Sequence, residues 1–260
     1  METCLVAPLT PCIGVCRLDG AGLCAGCRRS AAEIAEWPAM SQAERRRVME
    51  VLPQRDGLWL PEGERLRRAL HPLDTPPAGP GWNHEELVDL AAVAPPAEAA
   101  VLAALVPRPQ GTQVVLTRRN AALRHHGGQV SFPGGRRDVG DADAVATALR
   151  ESREEIALPA EQVAPLGYLD PLMTVSGFRV VPVVGVIDPR FVARPSPSEV
   201  AEVFEVPLAY LMDPGNLRSV DVEFRGRPRR VLEYAWPGAR IWGATAAILL
   251  NLRRRLEQGG

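Results

Sequence analysis

Glu151, Glu154 and Glu155 stand at i, i+3 and i+4 in the run Arg150-Glu151-Ser152-Arg153-Glu154-Glu155. The run lies about one helix length after Phe132-Pro133-Gly134-Gly135. On a helix that spacing puts three carboxylates on one face, where they repel one another. A hard divalent cation reverses the sign, because Mg²⁺ prefers carboxylate oxygens and keeps several of its waters. Acidic helix faces without ions are common, so the glutamates alone decide little. Coupled to a glycine turn, where the backbone can approach phosphates without a Cβ clash, they suggest metal-assisted chemistry on a phosphate ester or anhydride.

Several elements must position these groups. Val145, Leu149, Ser152 and Ile156 form a stripe roughly opposite the glutamates, so a helix is expected there. Asp141 and Asp143 suit its first turn, Arg150 lies i→i+4 from Glu154, and Pro159 marks the stop. Strands are expected at 99–106, 112–118, 129–132, 164–170 and 178–187, a hairpin at 220–225 and 229–235, and a last helix at 243–256. Capping boxes Ser30/Glu33 and Ser41/Glu44 predict helices at 31–37 and 42–52. A short Arg- and Leu-rich helix at 62–70 precedes a proline-rich arm or linker at 71–83. The pattern implies an α+β fold, an α/β/α sandwich with a mixed sheet between helices. The expected division is an N-terminal module at 1–55, a linker and arm at 56–84, and the main domain at 85–260.

The chain has 260 residues, 46% of them hydrophobic, and a formal net charge of −1. No basic excess points to nucleic acid. No signal segment and no membrane-length apolar run is visible, so a cytoplasmic protein is expected, and a homodimer is compatible with it. All 30 basic residues are Arg, so any phosphate clamp uses guanidinium forks.

Gly134-Gly135 with Arg150 through Leu158 resembles the Nudix box, G-x5-E-x7-R-E-U-x-E-E-x-G-U, with U a bulky aliphatic residue. Four departures stand out: Asp141 for Glu, eight residues rather than seven before Arg150, Ser152 for an aliphatic residue, and Ala157 for Gly. Upstream, Val115-Leu116-Thr117-Arg118-Arg119-Asn120, Arg124, Gly128 and Phe132-Pro133-Gly134-Gly135 resemble the coenzyme A pyrophosphatase signature L-L-T-x-R-S-x3-R-x3-G-x3-F-P-G-G. The resemblance covers about 60–260 and implies a Nudix fold. It implies that Glu151, Glu154 and Glu155, with the Gly135 carbonyl, bind Mg²⁺ or Mn²⁺, and that Glu154 is catalytic. Gly134, Arg119 and Arg124 would hold phosphate oxygens. Water attack on a coenzyme A-type diphosphate would give 3′,5′-ADP and 4′-phosphopantetheine or its acylated form. ADP-ribose or NADH is the alternative substrate. A further acidic residue outside the box, Glu199 or Glu202 on a loop or short helix, would complete the site as ligand or base, with Glu202 preferred. His125 and His126 share the loop of Arg124 without an assigned role.

Cys12, Cys16, Cys24 and Cys27 place four thiols within 16 residues. In a reducing compartment that favours a structural metal over disulfides, with Zn²⁺ ahead of an iron–sulfur cluster. With Trp37, the segment 8–53 resembles a small bacterial domain family of unknown function; Cys4 lies outside its pattern. A contrasting expectation follows, that the fold serves as a sensor or binding protein acting through this module.

Overall fold

The computed structural model describes residues 10–12, 16, 18, 22–24, 26–52, 55, 63–85, 95–123, 126–224 and 226–258. In chain order the helices are α1 (Ala31–Glu36), α2 (Gln42–Val51), α3 (Gly63–Ala69), α4 (Ala144–Ile156), α5 (Leu208–Met212) and α6 (Ala244–Gln258). The strands are β1 (Ala97–Val106), β2 (Gln113–Arg119), β3 (Val130–Ser131), β4 (Gly134–Arg136), β5 (Val163–Tyr168), β6 (Leu172–Met173), β7 (Phe178–Ile187), β8 (Val200–Pro207), β9 (Leu217–Phe224), β10 (Arg227–Trp236) and β11 (Ala239–Trp242).

Eight strands form one mixed sheet with the path β3-β2-β1-β7-β5, while β4 pairs β1, β6 pairs β7 and β8 pairs β2. β1 and β7 run parallel, and the other pairs of this sheet are antiparallel. The period-two alternation of β1 divides the core. Ala100, Leu102, Ala104 and Val106 pack toward Ala148 and Ile156 of α4. Ala99, Ala103 and Leu105 face the opposite layer, with Leu249 and Leu252 of α6 and Leu66 of α3. The α/β/α sandwich with its mixed sheet is therefore observed. A three-stranded sheet, β11-β10-β9, packs Tyr234 and Ile241 into the α6 layer.

Two local expectations are corrected. Residues 200–207 form strand β8, not a loop or short helix. Its glutamates obscured the alternation: Glu202 is matched across the ladder by Arg118, and Glu205 pairs with Arg108 from the loop after β1. The diglycine segment is not a bend but part of β4, paired with Ala99–Val101 of β1. A Cβ on Gly134 would strike the backbone of Ala100 and Val101, so only glycine lets the two chains lie this close.

The arm at 71–83 lies along the main domain. His71 and Tyr168 exchange backbone hydrogen bonds of 2.9 Å, and Arg179 donates to the Pro77 and Gly79 carbonyls at 2.8 Å each. Asp170 gathers His71 (2.7 Å), Asn251 (2.8 Å) and Arg255 (2.9 Å) into one network joining the arm, the end of β5 and α6. Among the described residues, no helix is long and apolar enough to cross a membrane.

Candidate active site

Helix α4 carries the acidic residues, and its ends are well defined. Asp143 is the N-cap, accepting the Ala146 N–H at 2.8 Å. Ala157 is the C-cap in the left-handed region, φ 57°, and its N–H closes on the Arg153 carbonyl. That conformation suits glycine better than alanine. Ser152 sits in the core side of the helix because its hydroxyl donates back to the Ala148 carbonyl at 2.7 Å.

The three glutamates do not share one environment. Glu155 is on the sheet-facing side, only 2% exposed, beside Ala148 and Ser152 rather than opposite the apolar stripe. Its carboxylate accepts the Gly134 N–H at 3.2 Å and faces the Arg119 guanidinium at 3.5 Å. Burial pushes its carboxyl up to about 7; the Glu151 and Glu199 charges add to that, and Gly134 and Arg119 oppose it. Glu151 lies against the diglycine strand, so close that a Cβ on Gly135 would come within 2.5 Å of its carboxylate oxygen. Burial raises the Glu151 carboxyl as well, against the pull of Arg150, and the Glu154 and Glu199 charges act in the same direction as burial. Glu154 is the outermost, with its side chain 57% exposed.

Arg150 organises this face. It donates to Glu151 at 2.8 Å, to Glu154 at 3.3 Å and to Asp141 at 3.0 Å, and to the Arg136 carbonyl at 2.9 Å. The Arg150 hydrogen bonds hold Asp141 well below the usual carboxylate range. Asp141 thus pairs with Arg150. As the side chains stand, no three His, Cys, Asp or Glu side chains among the described residues are grouped to hold an ion. The Arg150 guanidinium takes the place between Glu151 and Glu154 that a cation could take. The oxygen donors themselves suit a hard divalent ion.

Arg119 ends β2 and points to the α4 side of the sheet, as its contact with Glu155 requires. Its Nε is buried with no hydrogen-bond partner among the described residues. Arg118 turns to the other face, donating to Glu202 at 3.0 Å and to the Gly238 carbonyl at 2.6 Å. Glu202 is therefore engaged away from the acidic cluster. Glu199 is the distal carboxylate whose charge acts on both Glu151 and Glu155. The segment before it is pinned to the end of α4: Arg194 N–H donates to the Ile156 carbonyl at 3.0 Å, and Ser196 N–H to the Glu155 carbonyl at 2.8 Å. Those two backbone bonds bring Glu199 to the cluster, and sequence spacing carried no signal of them. Arg124, His125 and Cys4 lie outside the described residues. His126 pairs with Gln129 at 3.0 Å.

In the N-terminal module none of the four expected ligands is in a disulfide. Cys24 and Cys27 are buried and pack with Leu52. Cys16 is hydrogen-bonded to Cys12 and lies within electrostatic reach of Cys24, as Cys24 does of Cys27. The Cys24 carbonyl accepts the Arg28 N–H at 2.8 Å, and the Cys24 N–H donates to the Arg29 carbonyl at 2.8 Å, closing a tight knuckle around 24–29.

Two family models match separate parts of the chain. A family model described as "NUDIX domain" matches residues 96–224, and one described as "Protein of unknown function (DUF1289)" matches 10–56. A Photorhabdus laumondii protein named "Uncharacterized Nudix hydrolase NudL" is 42% identical over 159 residues, 61% of this chain and 84% of that protein. A Cronobacter sakazakii protein of the same name is 45% identical over 161 residues, 62% and 83% respectively. The solved structure of a Nudix hydrolase from M. smegmatis, RenU, aligns with TM-score 0.39 and 26% identity over 45% of this chain and 73% of that one.

Proposed function

The chain belongs to the Nudix hydrolase family, and on that premise we propose that it hydrolyses the diphosphate of coenzyme A or its acylated derivatives. Nudix hydrolases act on small nucleoside diphosphate derivatives and generally use a divalent metal such as Mg²⁺. The observation that carries the finer reading is Arg119. It occupies an arginine position of the coenzyme A signature, reaches Glu155 at 3.5 Å, and keeps a buried Nε without a partner among the described residues. A guanidinium held at the carboxylate cluster with one donor unsatisfied is suited to a phosphate oxygen.

In this reading Glu151, Glu154 and Glu155, with the Gly135 carbonyl, hold Mg²⁺ or Mn²⁺. Bound there, the ion would polarise phosphoryl oxygens and lower the pKa of its water. The glycine pair lets the diphosphate approach the Gly134 backbone. Arg119 orients the phosphate and offsets its charge, and Arg124 is assigned the same role from its place in the signature. Arg150 positions Glu151 and exchanges its contact with Glu154 when the ion is held. Glu199, rather than Glu202, serves as the distal carboxylate, because its charge reaches both Glu151 and Glu155. Water adds across the anhydride, giving 3′,5′-ADP and 4′-phosphopantetheine. For the N-terminal thiols we propose Zn²⁺ ahead of an iron–sulfur cluster. A reduced thiol set of this kind suits the cytoplasm.

The test is turnover of coenzyme A, acetyl-coenzyme A, ADP-ribose and NADH with Mg²⁺ or Mn²⁺, products identified by mass. Coenzyme A compounds are expected to lead in kcat/KM. Equal or better turnover of ADP-ribose rejects the substrate assignment.

A further inference from the structure

The arm at 71–83 precedes the residues matched to the Nudix domain, which begin at 96, yet one side chain ties it to the catalytic half of the molecule. Arg179 and Glu98 are the second residues of β7 and β1 and are partners in the parallel ladder. Period two sets both on the face of Ala100 and Val181, the face that α4 covers. Arg179 Nη1 donates to the Glu98 carboxylate at 2.9 Å, while Nε and Nη2 donate to the Gly79 and Pro77 carbonyls. A guanidinium holds its donors in a rigid plane, so a single side chain fastens a strand end to the arm. The Arg179 side chain is 15% exposed, which shields these bonds from water. The arm is then fixed a second time. Trp82 N–H donates to the Pro171 carbonyl at 2.8 Å, and the Asn83 amide pairs with both backbone groups of Met173, at 2.8 and 2.9 Å.

The same strand end anchors the loop between β4 and α4. The Glu98 carbonyl accepts the Arg137 N–H at 2.9 Å. The Arg137 guanidinium donates to the Asp141 carbonyl at 3.1 Å and to the Ala142 carbonyl at 2.8 Å, and Asp138 N–H donates to the Asp141 carboxylate at 2.9 Å. Asp141 in turn receives Arg150, which holds Glu151. Strand ends fray, and the anchoring carbonyl belongs to the second residue of β1. The loop is therefore only as fixed as that end.

We propose that Arg179 is a positioning residue of the active site. By clamping the start of β1 to the arm it fixes the loop 136–142 and, through Asp141, the Arg150 that holds Glu151. The inference rests on the reading of the acidic face of α4 as the active site; it does not depend on which diphosphate is the substrate. It makes the arm part of the catalytic scaffold rather than a linker to it.

The experiment compares full-length wild type, Arg179→Ala and Asp170→Asn. The last loosens the arm at its other end, at His71, without touching β1. Amide hydrogen exchange across 136–142 is read by mass spectrometry, and kcat and KM are measured separately on the best diphosphate substrate. In Arg179→Ala, protection of the loop is expected to fall about 10-fold or more, the scale of losing a charge-assisted hydrogen bond. Its kcat is expected to fall about 10- to 100-fold with KM within about threefold, since misplacement rather than lost binding is the cause. Asp170→Asn is expected to speed exchange within 71–85 and to leave the loop and kcat at wild-type values. Unchanged loop exchange or unchanged kcat in Arg179→Ala overturns the proposal, and so does an equal loss of kcat in Asp170→Asn, which would mark general loosening. Where Arg179→Ala does not fold, Glu98→Ala decides by the same two readouts, because it keeps both bonds from Arg179 to the arm. Absence of turnover in the wild type removes the active-site reading, and the proposal with it; wild-type turnover beside unaltered loop exchange in the variant removes the proposal alone.

Discussion

Arg119 at the end of β2 and Glu155 on α4 face each other at 3.5 Å across the gap between sheet and helix. Glu155 also holds the Gly134 N–H at 3.2 Å. One buried carboxylate thus joins the end of β2, the diglycine strand and the acidic helix.

Arg119→Ala is expected to lower kcat/KM by about 10²- to 10³-fold, the scale of losing one preorganised donor at a reacting centre. Because Arg119 touches the cluster, Arg119→Lys should recover only part of the loss, since a single ammonium cannot reproduce the fork. Steady-state kinetics with circular dichroism as a fold control checks this. Full activity in the alanine variant removes Arg119 from the site.

Glu155 makes stability depend on pH in a direction opposite to an ordinary paired carboxylate. Its folded pKa, about 7, lies above the unfolded value, so the folded state binds more protons between roughly pH 4.5 and 7. Without metal, raising pH through that window should destabilise the protein by about 1–3 kcal/mol through this group. Glu155→Gln should flatten that limb of the urea-unfolding profile and abolish hydrolysis. Mg²⁺ should raise Tm more at pH 8 than at pH 5.5, because it competes with the proton. A pH-independent Mg²⁺ effect contradicts this assignment.

Glu199→Gln and Glu202→Gln separate the two distal carboxylates. Activity is expected to fall about 10- to 100-fold in Glu199→Gln. Glu202→Gln should stay close to wild type, since the Glu202 side chain is 52% exposed and paired with Arg118. The reverse ranking returns the role to Glu202.

Ala157→Gly should stabilise the protein by about 1 kcal/mol, because an L-residue at φ 57° carries a left-handed penalty that glycine lacks. Thermal unfolding of the two proteins measures it. A lower Tm in the glycine variant would mean that the greater freedom of its unfolded chain outweighs the relief.

Asp170→Asn should loosen the arm. Burial pushes the Asp170 carboxyl up, but hydrogen bonds from His71, Asn251 and Arg255 outweigh it and hold the group below its ordinary value. Stability from Asp170 is therefore present above the unfolded pKa and lost as pH falls through the folded one. The variant is expected to cost about 1–3 kcal/mol at neutral pH and to show a weaker acid limb. Protease cutting within 71–85 should rise in parallel.

Local pattern was enough for much of this protein. The capping boxes at Ser30 and Ser41, the alternation in β1 and β7, and the acidic run of α4 are short-range features, so helices, strands and the Nudix box were legible in the chain. Ala157, one of the four departures from that box, proves in the structure to be a left-handed helix end. What the linear pattern could not resolve was which glutamate is buried, where the diglycine segment pairs, and which distal carboxylate arrives. Glu155 is buried because β2 and β4 close over that side of α4; Glu199 arrives because Arg194 and Ser196 bond to the carbonyls ending the helix. Such contacts join residues far apart in sequence, and their strength depends on exclusion of water by both partners at once. That exclusion exists only in the folded chain.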